Sequence, residues 1–346
     1  MRRSCGIAVL ALALLVPNGP ATTQEPEPIL YSAYRYGGRS AGAAIFMLAP
    51  GGERVRLTGS RSFNVEPVWS PDRSKVAYVH HARPRNPDIW IVDADGGNKV
   101  RLTRGPRDDL NPQWSPDGTH IAWVKARRDS ALGRIYVMHP DGHDKIAVSE
   151  EGFLAAQPTW SPNSRLVAYV ARNPCPQCRP ETEIHVIDGH SDEATPMVVT
   201  SNRVDDVNPA WSPDGSRIAV ARERDDGADL FTVAMDGSGE QQVTDLDGYA
   251  LLPRWSPDGS EIAFTLLVDD QNFHTRLGVV HVATGLERLL TDVATGGIFP
   301  DWSPDGGRIA FLGFHDGANE LGYVNRDGTG LTRLTRSNVD EAWLDW

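Results

Sequence analysis

The stretch Asn111-Pro112-Gln113-Trp114-Ser115-Pro116-Asp117-Gly118 contains the motif that decides the fold. Tryptophan followed by Ser-Pro and then Asp or Asn occurs at Trp69, Trp114, Trp160, Trp211, Trp255 and Trp302, and a seventh tryptophan, Trp346, ends the chain. Intervals of 44 to 51 residues separate these tryptophans. A fixed period of this size indicates a repeat protein whose units each form one supersecondary structure.

Each repeat continues with three further β-type runs. After Trp114 come 121–123, 135–138 and a last run that follows the turn at Asp141-Gly142. Branched and aromatic residues favour strands, and Asp-Gly supplies the positive φ of a tight hairpin. In the Ser-Pro-Asp-Gly corner, Pro fixes φ and Gly takes the left-handed position. Two corners depart from this pattern: Arg73 replaces Gly and is expected to be strained, whereas in Asn163-Ser164 the Asn is expected to tolerate the left-handed region.

A four-stranded antiparallel unit repeated in this way is typical of a β-propeller blade. The chain before Trp69 supplies three strands without a tryptophan strand, and residues 341–346 supply a tryptophan strand with nothing after it. The sequence therefore predicts one all-β domain over 29–346, a seven-bladed propeller closed by the C-terminal strand joining the N-terminal blade. Six blades are the less favoured count.

The first 21 residues have the layout of a signal peptide. Arg2 and Arg3 precede an apolar run over 5–16, and small residues lead to Ala21. The run is shorter than the roughly 20 residues that span a bilayer. We expect cleavage after Ala21, a short linker over 22–28, a periplasmic or secreted mature protein and no stable membrane insertion.

The charge balance excludes one class of partner. The chain has 46 acidic and 34 basic residues, a formal charge of −12, and loss of the signal peptide makes it more acidic. Non-specific binding of nucleic acid needs a positive field, so we expect no nucleic-acid partner. A closed ring has no free sheet edge that requires a second copy, which favours a monomer.

Cys175 and Cys178 are the two cysteines of the mature chain. In an exported protein, a lone close pair favours a small disulfide that rigidifies its loop. A zinc site and a redox pair are the alternatives, although a zinc site needs two more ligands and a redox pair needs a helix start.

The repeated Trp-Ser-Pro-(Asp/Asn) motif resembles the propeller domain of TolB, a periplasmic protein of the Tol-Pal envelope system, and the wider TolB-like family of WD-type propellers. The resemblance covers nearly the whole mature chain and implies the fold strongly and the function weakly. TolB carries an additional N-terminal domain before its propeller, and we expect this chain to lack it.

The approach to each tryptophan supplies candidate binding residues at the mouth of the channel. Three residues before the tryptophans stand Glu66, Asn111, Gln157, Asn208, Leu252, Phe299 and Trp343. Two residues earlier stand Asn64, Asp109, Ala155, Asp206, Ala250, Gly297 and Glu341. Strand alternation predicts that both sets share one side. The predicted ligand-binding set is Glu66, Asp109, Asn111, Gln157, Asp206, Asn208, Phe299, Glu341 and Trp343.

An acidic arc opposite an apolar arc suits a ligand with a cationic end and an apolar body. The favoured hypothesis is an exported, non-catalytic scaffold that binds a peptide or protein of the envelope, without a cofactor. The alternatives are an enzyme that acts on a small metabolite or sugar at the same mouth, in which a metal such as calcium could take part, and a purely structural module. The text match to a nucleophile elbow at 38–42 falls in a loop and is interpreted as chance.

Overall fold

The computed structural model of the protein describes residues 27–35, 41–82, 86–127, 133–150, 154–172, 181–269, 273–315, 318–336 and 339–346. These residues form 28 β-strands and no helix, so the part of the chain that is described is all-β and contains no helix that could cross a membrane. The predicted signal peptide and the predicted Cys175–Cys178 disulfide fall outside these ranges. So do residues 38–40 of the text match to a nucleophile elbow at 38–42.

The strands are short and follow one another in regular order. The first fourteen are β1 (Ile29–Arg35), β2 (Gly42–Leu48), β3 (Arg54–Arg56), β4 (Phe63–Trp69), β5 (Lys75–His81), β6 (Asp88–Asp93), β7 (Val100–Arg101), β8 (Asp108–Trp114), β9 (Ile121–Ala126), β10 (Gly133–Met138), β11 (Ile146–Ala147), β12 (Leu154–Trp160), β13 (Leu166–Arg172) and β14 (Thr182–Asp188). The remainder are β15 (Met197–Val198), β16 (Asp206–Trp211), β17 (Arg217–Arg224), β18 (Gly227–Ala234), β19 (Gln241–Gln242), β20 (Tyr249–Trp255), β21 (Glu261–Asp269), β22 (His274–His281), β23 (Leu286–Leu289), β24 (Ile298–Trp302), β25 (Arg308–His315), β26 (Ala318–Asn325), β27 (Thr332–Arg333) and β28 (Glu341–Asp345).

Hydrogen bonding joins these strands into three eight-stranded sheets and one four-stranded sheet. Successive strands such as β20 to β23 pair antiparallel in chain order. Each eight-stranded sheet is two such meanders linked through one residue pair, namely Ala43 with Phe63, Gly133 with Ala155 or Ala228 with Tyr249. The C-terminal strand β28 pairs antiparallel with β1, where Ser32 lies opposite Ala342. The result is a propeller-like fold.

The Ser-Pro-Asp corner is held by a local network of hydrogen bonds. In the second copy, the Ser115 hydroxyl donates to Asp117 Oδ1 at 2.6 Å and accepts the backbone N–H of His120 at 2.9 Å. Gly118 has φ of 73°, as the sequence predicts. Arg73 has φ of 56° in the first corner, but in the third corner Ser164, at 61°, takes the left-handed position expected of Asn163. The left-handed position is the fourth of the corner, whatever residue occupies it.

Every strand that approaches a repeated tryptophan contains a β-bulge. In β8, Leu110 pairs with Val124 but Gln113 pairs with Ala122, so two residues lie opposite one. The residue three places before each of the seven tryptophans has φ between 49° and 55°. Proline suits the next position in six copies because a bulge leaves that N–H outside the ladder. The expectation that the two predicted sets share one side rests on a regular alternation of side chains, which the extra residue of the bulge interrupts.

A hydroxyl near the end of the last strand of each repeat closes the meander. Thr103 Oγ1 accepts the backbone N–H of Ile89 at 2.9 Å. The equivalent acceptors are Thr58, Ser149, Thr200, Thr244, Thr291 and Thr335. All of these hydroxyl residues are buried, so each bond satisfies a backbone donor that water cannot reach.

Four of the repeated tryptophans tie their repeat to the one before it through the indole N–H. The indole N–H of Trp211 donates to the carbonyl oxygen of Thr159 at 3.2 Å. Corresponding bonds run from Trp160 to Gln113, from Trp255 to Ala210 and from Trp302 to Arg254. The core between the sheets comes from the second strand of each repeat, where residues such as Trp123 and Phe264 are fully buried. The packed tryptophan strands consequently surround a common space.

Candidate functional site

A cavity of about 610 Å³ lies among β4, β8, β12, β16, β20, β24 and β28. Two sets of side chains line it, and both belong to the strands that carry the tryptophans. The bulge ring consists of Glu66, Asn111, Gln157, Asn208, Leu252, Phe299 and Trp343. The inner ring, one residue before each tryptophan, consists of Val68, Gln113, Thr159, Ala210, Arg254, Asp301 and Asp345. We call this space the central cavity.

Six of the nine predicted binding residues lie in the bulge ring. Together with Leu252 they form a polar arc and an apolar arc, as the sequence predicts. The polar members are Glu66, Asn111, Gln157 and Asn208, and the apolar members are Leu252, Phe299 and Trp343. The structure therefore brings these six residues together around one space, and their role in binding stays a prediction.

Hydrogen bonds between members of the polar arc join neighbouring repeats. Glu66 Oε2 accepts the backbone N–H of Asn111 at 2.6 Å, and Gln157 Oε1 accepts that of Asn208 at 2.8 Å. Burial raises the pKa of the Glu66 carboxyl to about 7, and the bond from Asn111 opposes this rise. Glu66 is thus a carboxyl group that changes charge near neutral pH.

The apolar arc is an aromatic wall. The rings of Phe299 and Trp343 lie 5.2 Å apart at an interplanar angle of 38°. The indole N–H of Trp343 donates to the Tyr34 hydroxyl at 3.3 Å, and the Tyr34 ring lies 6.3 Å from the ring of Phe63. These contacts give the wall a defined position, which is the property required of a site that packs an apolar ligand group.

The inner ring contains three charged residues that the sequence reasoning missed. Asp345 Oδ2 accepts the backbone N–H of Trp69 at 2.7 Å, and Asp301 Oδ2 accepts that of Trp346 at 2.9 Å. Burial raises the pKa of both carboxyls, the negative charge of Asp301 raises that of Asp345 further, and the Arg254 guanidinium lowers both. Comparing the residue directly before each tryptophan would have found this charged group.

Three predicted residues lie outside the central cavity. Asp109, Asp206 and Glu341 are fully buried, and each has partners in its own repeat. Asp109 accepts the indole N–H of Trp123 at 2.8 Å, and Asp206 forms an ion pair with Arg222 at 2.7 Å. None of the three is among the residues that line the central cavity.

The Glu341 carboxylate links β28 to the neighbouring sheet of β24–β27. Its Oε2 accepts the backbone N–H of Leu321 at 2.9 Å and the hydroxyl of Thr335 at 2.5 Å. Within the described ranges, no group of three or more His, Cys, Asp or Glu side chains is arranged to hold a metal ion.

The meanders of four short strands, the repeated Trp-Ser-Pro corners and the shared central cavity define a β-propeller. Residues 38–178 and 119–343 match the protein family described as the TolB beta propeller domain. The chain belongs to this family, which confirms the resemblance drawn from the repeat. A search of curated proteins finds no match.

Solved structures with a similar fold include TolB from Acinetobacter baumannii, an oligogalacturonate lyase in complex with manganese and a puromycin-hydrolyzing peptidase from Mycobacterium tuberculosis. TolB is 16% identical over 92% of this chain, which spans 66% of that TolB, just under two thirds, with a TM-score of 0.58. The lyase is 14% identical over 91% of this chain and 86% of its own, with a TM-score of 0.66. The peptidase is 17% identical over 90% and 52%, also at 0.66. Identities this low show the fold alone.

Proposed function

We propose that this chain is an exported β-propeller of seven blades that binds a peptide segment of an envelope or secreted protein in its central cavity. Export rests on the signal-like sequence of residues 1–21 and is consistent with membership of the TolB propeller family. The mature domain is 29–346, and its partner lies in the periplasm or outside the cell.

Two repeated features support seven blades. The left-handed bulge and the hydroxyl that closes the meander each occur seven times along the chain. The pairing of β28 with β1 supports ring closure, because it adds the tryptophan strand that the N-terminal repeat lacks. A ring closed in this way leaves no blade with a missing inner strand.

The combination of an aromatic wall and two carboxylates in one cavity carries the proposed ligand class. Phe299 and Trp343 offer a fixed apolar surface, and Asp301 and Asp345 line the same space. A ligand with an apolar side chain and a basic end satisfies both, because the carboxylates gain a cation and the aromatic rings gain contact area. Arg254 lines the same cavity, and its guanidinium can bind one anionic group of the ligand, such as a peptide carboxylate.

A displayed library of random peptides, selected on the mature protein, tests this ligand class. We expect the recovered peptides to combine Lys or Arg with large apolar residues. Trp343→Ala and Asp345→Asn should each reduce their affinity about tenfold, because each removes one of the two interactions. Asp226→Asn is the control, since Asp226 is 86% exposed and lies outside the cavity lining. Recovered peptides without basic residues, or equal affinity for all variants, would contradict the proposal.

The paired carboxylates also favour a second candidate function, an enzyme that acts on a small metabolite or sugar. Raised pKa values of Asp301 and Asp345 are a property of acid–base sites. A screen of sugars and metabolites with the parent protein and with Asp301→Asn separates the two functions. Turnover that is lost in Asp301→Asn, while the fold is kept, would favour the enzyme.

A further inference from the structure

Three histidines from distant parts of the sequence lie close together, and none of them is among the residues that line the central cavity. His120 precedes β9, His139 follows β10 and His190 follows β14. The His120 ring lies 4.5 Å from the ring of His139 and 4.5 Å from that of His190. Trp160 borders the group, with its ring 5.8 Å from His190. We call these three histidines the histidine cluster.

Backbone oxygens fix the tautomers of two members of the cluster. His190 Nε2 donates to the carbonyl oxygen of Ser164 at 2.8 Å, and His139 Nδ1 donates to that of Thr119 at 3.2 Å. Both rings can make these bonds while neutral, because a neutral imidazole carries one N–H. Neutral rings at 4.5 Å pack favourably, whereas two or three imidazolium rings at the same separation repel one another.

The acidic groups near the cluster either accept hydrogen bonds from other residues or are exposed to solvent. The Asp117 carboxylate accepts the Ser115 hydroxyl and the backbone N–H and hydroxyl of Thr119. Asp144 lies 3.8 Å from His139 Nε2 and is 80% exposed. Asp188 forms an ion pair with Arg165, and its Oδ1 accepts the backbone N–H of His190. The other charged or titratable groups nearby are Asp141 and His143. Burial, followed by the two neighbouring imidazoles, lowers the pKa of His120.

The cluster lies at the boundary between two repeats. His120 and His139 belong to the repeat of β8–β11, and His190 belongs to the repeat of β12–β15. At this boundary the Asp117 N–H donates to the Ser164 hydroxyl at 2.9 Å, and the Trp160 indole donates to the Gln113 carbonyl at 3.1 Å. Trp160 and Gln113 also line the central cavity, so the boundary and the cavity share residues.

We propose that His120, His139 and His190 form a proton-responsive seam, which holds the β8–β11 and β12–β15 repeats together when the imidazoles are neutral and loosens when they are protonated. The direction follows from the geometry, because the His120 ring lies 4.5 Å from both other rings and imidazolium rings at that distance repel one another; the lowered pKa of His120 agrees with it. A histidine with a lowered pKa supports the fold fully above its ordinary pKa of about 6.5, and that support is lost as the pH falls below this value. Mild acid therefore loosens the wall of the cavity at Trp160.

Hydrogen exchange at pH 7.5 and pH 5.5, corrected for intrinsic rates, measures the seam in the full mature chain. We expect protection of β8 and β12 to fall about tenfold more on acidification than that of β20 and β21, which lie elsewhere in the fold. His120→Gln should abolish the difference. His274→Gln is the control because His274 is half exposed and lies outside the cluster.

Equal loss of protection in all four strands of the parent protein, or an unchanged difference in His120→Gln, would overturn the proposal. If that variant does not fold, NMR titration of the parent protein decides the case. A His120 midpoint below about 6.5 supports the seam, and a midpoint at or above that value overturns it.

Discussion

Glu66 is the acidic member of the bulge ring, with a carboxyl pKa of about 7 in the folded protein. A carboxyl with a raised pKa destabilises the fold as the pH rises from its ordinary pKa of about 4.3 to the folded value. Gln keeps an oxygen for the Asn111 N–H, as Gln157 does for Asn208. We expect Glu66→Gln to raise the free energy of unfolding by about 1–2 kcal/mol at pH 8 and to leave it nearly unchanged at pH 4.

Urea unfolding at the two pH values checks this prediction. The exposed Glu53 provides a matched control, because Glu53→Gln makes the same chemical change on the surface. A Glu66→Gln variant no more stable than its parent at pH 8 would show that burial does not raise the pKa of this carboxyl.

At the residue scale, the spacing from each tryptophan located the bulge ring but not the whole site. Phe299 and Trp343 were predictable because they occupy one fixed position of the repeat. Asp109 was assigned to the same site by strand alternation, but it is fully buried and does not line the cavity, and a bulge interrupts the alternation in β8. The sequence signal for the bulge is the proline two residues before six of the tryptophans, because proline inside a sheet is confined to edges, strand starts and bulges.

At the scale of the elements, a Thr or Ser hydroxyl near the end of the last strand of each repeat holds that strand to the third strand. Thr103→Val keeps the shape of the side chain but leaves the buried N–H of Ile89 without an acceptor. We expect a loss of about 1–3 kcal/mol in the free energy of unfolding. Thr103→Ser should cost less because Ser149 makes the same bond in the next repeat. Equal unfolding midpoints for the Val and Ser variants would contradict this role.

The third corner contains a non-glycine residue at φ of 61°, Ser164, whose hydroxyl accepts the Asp117 N–H. Ser164→Gly loses the hydrogen bond but relieves the backbone, whereas Ser164→Ala loses the bond and keeps the strain. Thermal unfolding should therefore show Ala to be less stable than Gly by about 1 kcal/mol. The opposite order would mean that the left-handed angle carries no strain at this corner.

At the scale of the whole molecule, the period of the tryptophans was enough to predict an all-β propeller. Local periodicity determines the strands, and the incomplete repeats at the two ends point to the pairing of β28 with β1. The histidine cluster could not be predicted, because His120 and His190 are 70 positions apart and occupy turns without a metal-ligand spacing. Such groups come together only when neighbouring repeats pack.

The pairing of β28 with β1 also makes the ends of the chain interdependent. Removing residues 341–346 deprives β1 of its neighbour and the Trp69 N–H of the Asp345 acceptor. A free edge of β1 is a template for another chain. We expect the shortened protein to self-associate and to unfold at a temperature lower by more than about 10 °C.

Light scattering after size exclusion and a thermal scan measure both effects. A peptide with the sequence of residues 336–346 should reverse the self-association and raise the unfolding temperature as its concentration increases, because binding stabilises the folded state by mass action. A scrambled peptide is the control. A shortened chain that does not self-associate and unfolds at the temperature of the parent would show that β1 does not depend on the C-terminal strand. Rescue by the native peptide alone would show that the pairing with β1 depends on the side chains of β28 as well as on its backbone.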